Sequence, residues 1–112
     1  MVIGIVGSRS IVVDDIGAYL PPDTDEIVSG GAKGVDSCAR LYAQKTGVSF
    51  RELLPDYQRF GRAAPLKRND EIIAHAEFLL VFWDGKSKGT QYVIRRCKKL
   101  QKPMRVVLLS PL

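Results

Sequence analysis

The sequence predicts an α/β domain of three layers, with a five-stranded parallel sheet between helices. Three observations predict it. Short apolar, β-branched runs alternate with segments of helical period along the whole chain. Strands that alternate with helices form parallel sheets covered on both faces. The chain has 112 residues, the size of one domain. It shows no repeat, linker or low-complexity run, so residues 1–112 read as a single unit.

The elements follow in order. Residues 2–6 are a continuous apolar run and read as a buried first strand. Val12, Ile16 and Leu20 recur at helical spacing until Pro21 and Pro22 stop the helix. Residues 26–28 form a short second strand. Val35, Cys38, Ala39, Tyr42 and Ala43 share one helical face, and Gly47 ends that helix. Residues 49–53 are a third strand. Residues 55–64 are an irregular loop, and Pro65 suits the first turn of a helix running to about His75. Residues 78–82, the most apolar run, form a fourth, interior strand. Val93, Cys97 and Leu100 mark a fourth helix, and residues 105–109 a fifth strand. Right-handed crossovers around a central first strand give the order 3-2-1-4-5. This is the Rossmann-like arrangement. Its ligands bind beyond the carboxyl ends of the strands where the order reverses, here between the first and fourth strands.

Composition narrows the function classes. With 46% hydrophobic and 26% charged residues the chain is ordinary for a soluble protein. No apolar run approaches the roughly 20 residues that span a bilayer, so no membrane partner is expected. Residues 1–6 carry neither a basic segment nor a small-residue cleavage site, which argues against a signal peptide. Cys38 and Cys97 sit on apolar helical faces and read as buried thiols of a reducing cytoplasm. They match no metal-ligand spacing and His75 is the sole histidine, so neither a metal nor a required cofactor is expected. A net charge of +5 favours anionic partners: a nucleotide, a nucleic acid or an acidic protein face.

Four polar motifs follow strands and therefore gather at one end of the sheet. Gly7-Ser8-Arg9 pairs a tight turn with a hydroxyl and a guanidinium that can fork onto a phosphate or carboxylate. Ser29-Gly30-Gly31-Ala32-Lys33-Gly34-Val35-Asp36 places flexible backbone and free N–H groups at a helix start, an anion cradle. It is neither the dinucleotide G-x-G-x-x-G nor a Walker A loop. Asp36 can accept from a ribose hydroxyl or simply offset the helix dipole. Asp84-Gly85-Lys86-Ser87-Lys88-Gly89-Thr90 repeats the cradle ahead of the fourth helix. The stretch from Asp56 to Asp70 is rich in arginine and aromatic residues. Within it Arg62, Arg68 and Asn69 can reach the same place, and Tyr57 or Phe60 can stack a base or tuck into the core.

Taken together, Gly7-Ser8-Arg9, the segment from Ser29 to Asp36, the segment from Gly61 to Asn69 and the segment from Gly85 to Thr90 resemble the SLOG superfamily (SMF/DprA and LOG proteins). Its small stand-alone, YspA-like branch is the nearest likeness. The resemblance runs from the first strand through the fourth helix. It implies a Rossmann-like fold that binds nucleotides or nucleotide-derived ligands. Such relatives include cytokinin-activating phosphoribohydrolases, a single-stranded DNA-binding protein of natural transformation, and nucleotide-sensing domains. The phosphoribohydrolase relatives carry P-G-G-x-G-T-x-x-E with a catalytic glutamate. Here that position is Val93, and Lys86-Ser87-Lys88 separates the glycines. Asp36 and Asp84 are the carboxylates left for acid–base work.

The expectation is therefore a nucleotide-binding module whose ligand meets Gly7, Ser8, Arg9, Ser29, Gly30, Gly31, Ala32, Lys33, Gly34, Asp36, Arg62, Arg68, Asn69, Asp84, Gly85, Lys86, Ser87, Gly89 and Thr90. A hydrolase cleaving an N-glycosidic or phosphoester bond is one alternative. Single-stranded nucleic-acid binding through Arg95, Arg96, Lys98, Lys99, Lys102 and Arg105 is another. The apolar residues Phe60, Trp83 and Tyr92 suit either a pocket or a homo-oligomer interface.

Overall fold

The computed structural model describes residues 1–30 and 34–110. Strands β1 (Val2–Gly7), β2 (Glu26–Ser29), β3 (Ser49–Glu52), β4 (Phe78–Trp83) and β5 (Met104–Leu108) form one parallel sheet in the order 3-2-1-4-5. Helices α1 (Val35–Thr46), α2 (Tyr57–Phe60), α3 (Ala64–His75) and α4 (Lys88–Leu100) complete the domain. The Rossmann-like arrangement expected from the sequence is the one observed.

Each face of the sheet has its own core. Ile3, Ile5, Ile27, Leu80 and Phe82 point to one side and pack with Val35 and Ala39 of α1. Val28, Leu79 and Val81 point to the other and pack with Ile72, Ile73 and Ala76 of α3 and with Val93, Ile94 and Cys97 of α4. Alternate residues of β4 thus serve opposite cores, which is why its sequence is apolar without interruption. The edge strand β5 is different: Val106 and Leu108 are exposed despite their apolar character. Cys97 is buried and Cys38 half-buried, and both are free thiols.

One expected element is absent. The helix read from Val12, Ile16 and Leu20 is an extended loop ending in a single 3-10 turn, Ile16–Tyr19. Val12 is exposed, while Ile11, Val13 and Ile16 are buried under the sheet. The β-branched run 11–13, Asp14-Asp15 and Gly17 all disfavour helix, so burial of alternate residues wins over helical period. The irregular loop expected over 55–64 also carries more order, with α2 followed by a 3-10 turn, Gly61–Ala63. The Asp56 carboxylate accepts the Arg59 backbone N–H and so starts α2.

Candidate functional site

The pairing fixes where the loops meet. Residues 3–7 of β1 lie beside 78–82 of β4, and residues 2–5 of β1 beside 26–29 of β2. The carboxyl ends of these three strands open into a cavity of about 430 Å3, within the size range of small-ligand sites. Its floor is apolar, from Ile5, Val6 and Ile72. Its rim carries Arg9, Ser29, Gly30, Asp36, Arg68 and Asn69, and, from the start of α4, Ser87, Gly89 and Thr90.

Several residues that looked like ligand donors are used to build the loops. Ser8 is buried, and its hydroxyl accepts the Asp84 backbone N–H at 3.3 Å and lies 3.3 Å from the Thr90 hydroxyl. It joins the β1 loop to the β4 loop beneath the cavity. Asp84 Oδ1 accepts the backbone N–H groups of Lys86 and Ser87, each at 2.8 Å, and its Oδ2 accepts the Ser10 hydroxyl at 3.1 Å. Those backbone N–H groups, helped by the Ser10 and Ser8 hydroxyls, hold the Asp84 carboxyl below the usual carboxylate range. A depressed carboxylate braces the loop at neutral pH and gives up that brace only as pH falls below the ordinary range. Trp83 adds a bond from its indole N–H to the Ser87 carbonyl at 3.1 Å.

Arg68 is the long-range link. It leaves α3 to donate from Nη1 to the Gly30 carbonyl at the end of β2, and from Nε to Asn69 Oδ1 at 2.9 Å. Burial pulls its guanidinium below the ordinary arginine range. The nearby Arg9 charge acts in the same direction, against Tyr57 and Asp36. Arginine stays protonated regardless, so two cations remain at the rim. Asp36, in the first turn of α1, is buried and lies 3.5 Å from Arg40, which also pairs with Glu52.

The start of α4 is open to an acceptor. No acidic residue lies in its first turn, and its N-cap, Ser87, makes no side-chain cap bond. First-turn N–H groups have no partner within a helix, so those of α4, whose start lines the cavity, are unclaimed by a side-chain cap.

Of the residues read from the sequence, Gly7, Arg9, Ser29, Gly30, Asp36, Arg68, Asn69, Asp84, Ser87, Gly89 and Thr90 line the cavity. Ser8 lies beneath it. Gly34 supports it as the N-cap of α1. Arg62 is carried to solvent by the turn before α3, and Gly85 and Lys86 stand outside the wall. Gly31, Ala32 and Lys33 lie outside the described residues. Sequence reading missed Ser10 and the apolar wall of Ile5, Val6, Pro65, Leu66 and Ile72. Such residues carry the same pattern as core, so no signal sets them apart; Ser10 alone, next to Arg9, was open to inspection.

The basic cluster around α4 is divided. Arg96 lies 3.5 Å from Asp70, Lys102 donates to the Ala76 carbonyl at 2.7 Å, and Arg105 stacks on Tyr19. Arg95, Lys98 and Lys99 are exposed. Among the described residues no group of His, Cys, Asp and Glu could hold a metal ion, and no helix is long and apolar enough to cross a membrane.

No family model matches the chain, and no curated protein or solved structure matches it significantly. Fold and site together define an α/β domain with a cavity at its topological switch point, rimmed by two arginines.

Proposed function

We propose that the chain binds a nucleotide or nucleotide-derived ligand, with a phosphate at the start of α4 between Arg9 and Arg68. One observation carries this reading. The α4 start lies on the cavity with no acid in its first turn and no cap bond from the Ser87 side chain, the Asp84 carboxylate ahead of it being taken up by the Lys86 and Ser87 N–H groups, and two guanidinium groups share the rim. A phosphate there takes up the helix donors and relieves the repulsion between the two cations. The apolar floor suits a base or sugar face, and Asp36 on the wall suits a ribose hydroxyl. The resemblance of the four motifs to the SLOG superfamily supports the same assignment.

A binding role fits the carboxylates better than hydrolysis does. Val93, at the position of the relatives' glutamate, faces the core from α4. Asp84 is committed to its own loop, which leaves Asp36 as the lining carboxylate for any proton transfer.

The test is thermal unfolding in the presence of AMP, ADP, ADP-ribose and inorganic phosphate. A nucleotide present at a hundredfold excess over its Kd should raise the midpoint by roughly 10 °C. Arg68→Ala should weaken that nucleotide roughly 10- to 100-fold, the loss of a charge-assisted bond. Stabilisation by none of the nucleotides would sink the proposal.

A further inference from the structure

A second hollow of about 440 Å3 adjoins the first, between the start of α3 and the outer face of α4. Leu66, Lys88, Gly89, Gln91, Tyr92 and Arg95 line it. Leu66 and Gly89 also line the cavity, so the two spaces meet there. The junction is kept wide: a Cβ added at Gly89 would meet nothing within 4 Å.

The hollow has a definite chemistry. Leu66 and Tyr92 give an apolar and aromatic wall. The Tyr92 hydroxyl donates to Asp70 Oδ1 at 2.8 Å, and Asp70 in turn lies 3.5 Å from Arg96, so the ring is fixed before any ligand arrives. Burial and the neighbouring Asp70 raise the Tyr92 phenol above its ordinary range, which keeps it protonated as that donor. Lys88, Tyr92, Arg95 and Lys99 follow one another at spacings of four, three and four, a single line along α4. Cations thus stand on both sides of the ring, and the line leads away from the phosphate position at the α4 start.

We propose, building on the nucleotide-binding reading above, that the ligand is a phosphodiester-linked dinucleotide unit rather than a mononucleotide. Its first phosphate sits at the α4 start. Its second base lies on Tyr92 and Leu66, and the second phosphate meets Arg95. Stacking on an aromatic ring and charge-assisted bonds to phosphate oxygens are the interactions that such a unit offers. A free small dinucleotide and the phosphorylated end of a single strand share this chemistry.

Calorimetric titration tests it with AMP, the 5′-phosphorylated dinucleotide pApA, NAD and a 5′-phosphorylated oligo(dA) twelve-mer. The expected result is that pApA binds at least tenfold tighter than AMP. Arg95→Ala, at an exposed position, should remove that advantage and leave the AMP affinity unchanged. Equal binding of AMP and pApA, or equal weakening of both by Arg95→Ala, overturns the second subsite while leaving the first in place. Tighter binding of NAD than of pApA overturns the phosphodiester assignment. Failure of every probe to bind removes the nucleotide-binding reading and this one with it. If the twelve-mer binds tighter than pApA and weakens steeply with salt, the unit is supported as a strand end; if it binds no tighter, it is supported as a small molecule.

Discussion

Two helices start at the cavity, and both follow glycine-rich sequence, yet their glycines have opposite causes. At α1, Gly34 has a φ of +83°, and a Cβ there would stand 2.2 Å from the Ile11 carbonyl oxygen. The fold demands glycine at that position. At α4, Gly89 lies in the first turn, and a Cβ there would touch nothing within 4 Å. Folding would favour alanine at such a site, because glycine in a helix costs up to about 1 kcal/mol. The electrostatics divide in the same way. The first turn of α1 carries its own acid, Asp36, whereas that of α4 carries none. Similar sequence signatures thus mark one helix start whose glycine is fixed by packing and one whose glycine no packing contact requires.

Three substitutions separate these causes. Gly34→Ala should have the largest effect, a loss of about 3 kcal/mol or more, since it combines a forbidden backbone angle with a clash against backbone. Urea denaturation measures it, and a loss below about 1 kcal/mol would show that the α1 loop adapts. Gly89→Ala should do the reverse: stability rises by up to about 1 kcal/mol while nucleotide affinity falls. The pair of readings matters, because a purely structural glycine would lose both. Ser87→Ala should change least. An N-cap serine is commonly worth about 1 kcal/mol, but here it makes no cap bond, so less than about 0.5 kcal/mol should be lost in the same denaturation assay.

The legible parts of the molecule were those where a single physical demand set the residue type. Buried parallel strands need apolar runs, so β1 and β4 were plain, and Gly47 marked the end of α1 through its left-handed backbone. The segment from Ile11 to Leu20 misled because its apolar residues satisfy two periods at once. Val12, exposed in the structure, belongs only to the helical one. At the site, Arg9 was readable as a cation in a glycine turn, and Arg68 as a cation in the first turn of a helix that can reach the same place. Ser8 and Asp84 were readable as polar groups near a ligand, but not as the groups that knit the loops together. That distinction depends on hydrogen bonds between loops distant in sequence, such as the one from the Asp84 N–H to Ser8, 76 residues away.

The pairing of β1 with β4 bears on how the domain is made. Residues 2–7 leave the ribosome well before their partner in β4, which comes only with residues 78–82. Contacts so distant in sequence form late, after the entropy of closing a long loop has been overcome. The β3-β2-β1 half can gather first, with one side of β1 unpaired until β4 arrives. The cavity lies across that seam, so it comes into being with the last half of the sheet. A ligand held there clamps the two halves of the chain together. It should slow amide hydrogen exchange along the whole of β1 and β4, well beyond the loops it touches.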